Sequence, residues 1–439
     1  MGALVVLAVW PAFASHATAG DPVAGPSPAP LRDDATIRAR TIAFEESRLA
    51  LDGQDQITPR LLAEQYLQRY RERGDVGDVL RAQAQAQRSL RVQPQGNVAA
   101  LQELASAQLT LHRFHAALAT ARAARRLAPT DPSLAMGEAS LDIEIGDYAA
   151  ARALVLKAGA NADVTAGVAA RLAEVTGDLP RARTLLARDA RRVDAIYGMP
   201  NERRAWYHVR LGELAFEAGD TDGALREESV ALERFPDDAQ ALTDTARFDA
   251  ALGRWSDARA MAEHAVRVAP SPENLGLLAD AQQRLGDPAA ADATRDEIVA
   301  VERIGDAQHL VDRLLAAYYA DHGIRLGDAC AIAERDARTR PDVYAEDTLA
   351  WAAARAGHWD VARDAARRAV AWDTADARIW YHAGVIAEHD GDAARALADD
   401  RHALALNPQF QAAFADDARI RMARLEQSEL ARGNFVRPQ

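Results

Sequence analysis

The sequence predicts an all-α protein built as a solenoid of repeated helical hairpins, and three observations carry that prediction. A hairpin returns at a fixed spacing. The stretch YHVRLGELAFEAGDTDGALREESVALERFP, residues 207–236, is followed by LTDTARFDAALGRWSDARAMAEHAVRVAP, where Gly253, Ala258, Ala265 and Pro270 stand 34 residues after Gly219, Ala224, Ala231 and Pro236. The turn inside the hairpin recurs along the chain, as HRF at 112–114, GDY at 146–148, GDL at 177–179, GDT at 219–221, GRW at 253–255, GDP at 286–288, GHW at 357–359 and GDA at 391–393, each followed three residues later by Ala. Apolar residues make up 49% but aromatics only 6%, so alanine fills the apolar fraction; it has the best helix propensity and lets helix axes approach closely.

The elements follow in order. Residues 1–19 hold an apolar run ending in small residues (Ala17, Thr18, Ala19) and read as an export signal, with an uncleaved anchor or a fortuitous apolar tail as alternatives, since no Lys or Arg precedes the run. Residues 20–34, dense in Pro and Gly, read as a disordered linker. A capping helix is expected over 35–56 and a repeat array over 57–408, with units beginning near 60, 98, 132, 163, 205, 239, 272, 309, 343 and 377. A second capping helix and tail are expected over 409–439. Both caps are expected to offer a polar outer face, and each hairpin to complete its core only on its neighbours. Asp131 before Pro132 and Ser271 before Pro272 are the readable N-caps. Gly219 suits the left-handed end of one helix, and Pro236 stops the next.

These residues resemble the tetratricopeptide repeat, a 34-residue hairpin with an apolar residue at position 7, a small one at 8, Gly near 15, Ala at 20 and Pro at 32. The match is tight in RLGELAFEAGDTDGALREESVALERFP and in YHAGVIAEHDGDAARALADDRHALALNP. Departures are Arg69 and Tyr70 in the first unit, His112 in place of a turn glycine, and an extra residue around Gly323. The resemblance implies a right-handed α-solenoid of about ten hairpins whose concave face binds a protein or peptide. Transfer of helix A positions 2, 5, 9, 12 and 13 implies a groove of Trp206, Val209, Glu213, Phe216, Glu217, Thr243, Arg247 and Arg171 in the middle, and of Tyr344, Asp347, Trp351, Arg355, Arg378, Tyr381 and Glu388 further on. Aromatics beside arginine suit peptide hot spots, while ordinary helix packing is the alternative for Trp206, Trp351 and Tyr381. Trp380, at position 4, is expected to pack. A clamp for chaperone tails is not implied, because Ser106, Ser140 and Arg171 occupy the clamp positions and Lys157 is the single lysine.

A net charge of −13 without a basic run argues against nucleic acid. Cys330 stands alone, which excludes an intramolecular disulfide, and is expected to be a small buried residue. His382 and His389 are two helical turns apart, wrong for a two-histidine zinc site, and His112 and His115 straddle a turn. No nucleophile elbow, phosphate loop or dinucleotide fingerprint occurs. The acid pairs Asp237–Asp238 and Asp399–Asp400 are expected to be solvated. The expectation is a non-enzymatic bacterial scaffold without cofactor, exported to the cell envelope, that touches membrane only through an uncleaved N-terminus. An accessory subunit of an enzyme and a cytosolic adaptor are the rivals.

Overall fold

The computed structural model describes residues 33–159, 162–307 and 313–434, so the expected export signal and nearly all of the linker lie outside the described residues. Among the described residues there are twenty-two helices and no strand. Helix α1 (Asp34–Leu51) precedes the hairpins α2 (Ile57–Arg73) with α3 (Val76–Val92), α4 (Val98–Thr110) with α5 (Phe114–Leu127), and α6 (Pro132–Glu144) with α7 (Tyr148–Ala158). Next come α8 (Ala162–Val175) with α9 (Leu179–Asp194), α10 (Asn201–Glu217) with α11 (Thr221–Arg234), and α12 (Ala239–Ala251) with α13 (Trp255–Val268). The chain continues through α14 (Pro272–Arg284) with α15 (Pro288–Ala307), α16 (Arg313–His322) with α17 (Leu326–Thr339), α18 (Val343–Arg355) with α19 (Trp359–Ala369), and α20 (Ala377–His389) with α21 (Ala393–Leu406). Helix α22 (Ala412–Asn434) closes it. The architecture of the described residues is an α-solenoid of ten hairpins with a helix at each end.

The local chemistry is the one the sequence offers. Asp131 accepts the Ser133 amide at 2.8 Å and Ser271 the Asn274 amide at 3.2 Å, each satisfying an amide that a helix start leaves unpaired, with Pro at the first turn. Inside the hairpin α10–α11, Ala224 and Ala231 are fully buried, and Phe216 stacks on Phe248 of the next unit with centroids 4.3 Å apart. His112, standing where other units have glycine, takes the same left-handed backbone at φ 56°. Trp380 packs as expected, its indole donating to the Thr374 carbonyl at 2.8 Å. Cys330 is buried and its thiol faces the Ala352 carbonyl.

The expectation that only neighbouring hairpins touch is corrected. The solenoid winds tightly enough for a second coil to seat on the first. Tyr148 accepts the Val343 amide at 3.0 Å, Thr374 donates to the Val175 carbonyl at 2.7 Å, and Asn407 donates to the Phe216 carbonyl at 2.7 Å. The turns after α6 and α8 approach so closely that a Cβ built on Gly146 stands 2.4 Å from the Pro341 carbonyl oxygen, and one on Gly177 stands 2.3 Å from that of Asp373. Only glycine fits such a seam, and φ near 80° at both adds a second reason. Below it, Gln68 of α2 donates to Glu202 of α10 at 2.8 Å.

Two further expectations fail. Helix α1 exposes Ile37, Phe44 and Leu51, one residue every two turns, and α22 exposes Ile420, so neither cap is purely polar. Of the acids expected in solvent, Asp237 is exposed, but Asp238, Asp399 and Asp400 are buried. Asp238 caps α12, and Asp400 faces Arg421 of α22, whose Nε donates at 2.8 Å. Pattern reading places acids by helix face and does not see the helix that later covers that face.

Candidate ligand-binding lumen

The first helices of successive hairpins point the same face inward, and the winding turns that face into the wall of a lumen. A cavity of about 420 Å³ runs from α6 through α8, α10, α12, α14 and α16 to α18, α20 and the start of α22. Its aromatic wall comprises Tyr148, Phe216, Trp255, Tyr318, Tyr344, Phe410 and Phe414.

Charged groups dominate between the rings. Arg171 pairs with Glu174, and Arg210 bridges Glu174, at 2.6 Å, and Glu213. Arg247 pairs with Asp244 and lies 5.6 Å over the Phe216 ring and 5.2 Å over Phe248, a cation held against two π faces. Arg313 spans Asp336 at 2.8 Å and Asp342 at 2.6 Å. Arg171 also sits 5.3 Å over Tyr344 of the second coil. Burial opposes the charge on Arg171 and Arg247, but the carboxylates of Glu174 and Asp244 outweigh it, and both guanidiniums hold their protons more tightly than usual. Among the described residues Arg378 has only a loose ion-pair partner, Asp321 at 3.7 Å.

Two lumen acids are different. Glu144 at the end of α6 and Glu217 at the end of α10 form no hydrogen bond or ion pair among the described residues. Burial pushes both carboxyls up, Glu217 well above the usual range, with Glu174 and Asp376 adding like-charge repulsion at Glu217.

Of the residues the repeat positions pick out, Arg171, Glu213, Phe216, Glu217, Arg247, Tyr344 and Arg378 line the lumen together. The others lie outside its lining. Val209 is buried against Ala205, Ala231 and Ala241, and Trp206 packs edge-on to Tyr207, 4.8 Å away. Trp351 is buried, donating to Asp321 at 2.8 Å and stacking on His382, while Arg355 donates to the Ala320 carbonyl. Asp347 bonds His382 at 2.9 Å. Tyr381 is buried, bonded to Asp417 and stacked on Phe414 at 4.8 Å. His389 stacks on Trp359, and no group of three or more His, Cys, Asp or Glu among the described residues could hold a metal ion.

Sequence reasoning missed Glu144, although it occupies position 13 of its unit, as Glu217 does of its own; applying the same positions to the unit at 132 finds it. It also missed Phe410 and Phe414, because nothing in a terminal amphipathic helix says that its start turns inward.

Comparison with family models agrees with the fold. Residues 168–239 and 348–409 match a tetratricopeptide repeat family model. No curated protein matches the chain. Among solved structures, Naa15/Naa10 bound to HypK-THB is 17% identical with a TM-score of 0.29, covering 91% of this chain and 65% of that one. The yeast Tom70 structure is 12% identical with a TM-score of 0.35, covering 92% of this chain and 96% of that one. The chain thus spans just under two thirds of the first of these.

Proposed function

We propose that this protein is a non-enzymatic scaffold that holds a peptide, or an extended segment of a partner protein, in the lumen of its solenoid. The observation that supports this reading most is the lining itself. Aromatic faces and oriented guanidiniums alternate along several successive hairpins, a surface that recognises side chains in series and places no nucleophile beside a base. Residues 1–19 support export to a bacterial cell envelope, where the partner would then reside.

The test is selection of a displayed random-peptide library on the purified protein, followed by titration of the peptides recovered. Arg247→Ala and Arg378→Ala should each weaken binding by about thirtyfold, as loss of a hot-spot anchor worth about 2 kcal/mol does. Arg226→Ala, on an exposed side chain of α11, and Trp206→Ala, outside the lumen, should leave it unchanged. Equal affinities for all four folded variants would move the ligand elsewhere. Export is tested by fractionation and N-terminal sequencing, and a cytosolic product retaining Met1 would overturn it.

A further inference from the structure

We propose that the lumen takes up basic side chains, lysine or arginine, of the bound peptide, with the unpaired carboxyls of Glu144 and Glu217 as their partners on either side of Arg171. The inference rests on the scaffold reading and adds the chemistry of the ligand. Three observations carry it. Glu144 is only 8% exposed, lines the cavity and has no partner among the described residues, so what its carboxyl opens onto is the lumen. Glu217, less buried, also lines the cavity without a partner among the described residues two hairpins on. The lining as a whole carries nine carboxyl groups, Glu144 and Glu217 among them, against six guanidiniums and the His322 imidazole, so once those two acids ionise the charge the lumen lacks is positive. An anionic ligand would face the larger population of like charges.

The surroundings make uptake proton-linked. Glu144 faces Arg171, Asp342, Arg340, Arg313 and Tyr148, and Glu217 faces Glu174, Asp376, Arg210, Arg171 and Tyr344. Both carboxyls hold their protons above the usual 4.5 in the free protein, while an ammonium or guanidinium beside them favours the ionised form. Binding therefore releases protons, and affinity rises as pH rises above that value.

The experiment uses the peptides selected as above. Enrichment of Lys and Arg, with affinity falling about tenfold or more on replacing one selected lysine by norleucine and by a similar factor in Glu144→Gln or Glu217→Gln, supports the proposal. So does proton release seen as different binding heats in phosphate and Tris buffers and reduced in the Gln variants, which a purely structural role for these acids would not produce. Peptides that bind, respond to Arg247→Ala and yet show no basic preference or no response to the Gln variants overturn this inference and leave the scaffold reading standing. Failure to select any peptide overturns both. Spermidine displacing the peptide at equal concentration would assign the carboxyls to a free polyamine and overturn the peptide assignment.

Discussion

Hairpins α10–α11 and α20–α21 carry the same buried pair at the same spacing, and they complete it in opposite ways. Gly212 lies under Glu228 and Gly384 under Asp400, sixteen residues apart in each case, and both acids are fully buried. Twenty-one residues further on stand Asp249 in the first case and Arg421 in the second. Arg421 reaches back, chelates Asp400, bonds Asp417 at 2.9 Å and covers the Tyr381 ring, whereas neither oxygen of Glu228 has a hydrogen-bond partner. Burial first, then the charges of Asp244 and Asp238, push the Glu228 carboxyl well above its usual 4.5. One hairpin thus buries an ion pair and the other an unpaired acid whose burial favours its proton, and the deciding residue belongs to the helix that comes afterwards.

The largest test of the contrast is Arg421→Ala, which leaves Asp400 buried without its cation and should cost about 3 to 5 kcal/mol by chemical denaturation. Next is Gly212→Ala. A Cβ there stands 2.3 Å from Glu228 Oε1, against 3.1 Å from Asp400 Oδ1 at Gly384, so overpacking at Gly212 should cost about 1 to 3 kcal/mol and exceed that of Gly384→Ala. Adding Glu228→Ala to Gly212→Ala should recover part of the loss, and strict additivity would refute the contact. Smallest is Glu228→Gln. Because the folded carboxyl binds its proton more tightly than the unfolded one, its favourable contribution is complete below pH 4.5 and is lost as pH climbs through the folded value. The Gln variant should therefore gain about 1 kcal/mol over the parent at alkaline pH and flatten that slope, read from denaturation midpoints across pH.

The hairpins themselves could be read from the sequence because each is specified locally: a cap such as Asp131, a turn glycine such as Gly219, and alanines at the crossings. His112 shows that even a departure at the turn leaves the backbone in place. The lumen was half readable. Repeat positions 9, 12 and 13 on α10 place Glu213, Phe216 and Glu217 correctly in its wall, since they follow the helical period. Trp351 and Tyr381 escape the same rule because α22 folds Phe414 against them and fills what would be groove. The ion pair of Asp400 and the second coil over Gly146 are invisible for one reason, that their partners arrive from elements whose position depends on accumulated winding.

That winding makes the protein an object of fixed gauge. The hydrogen bonds from Val343 to Tyr148, Thr374 to Val175 and Asn407 to Phe216 join residues 195, 199 and 191 apart, about six repeat lengths. An open solenoid can gain or lose a unit and merely become longer or shorter. Here, inserting one hairpin between α12 and α17 would carry every loop of the upper coil past its mate, so that Gly146 and Gly177 meet foreign loops and all three bonds break at once. Repeat number in that interval is therefore an all-or-none quantity, and homologues that preserve the seam should vary in length only before α6 or after α22.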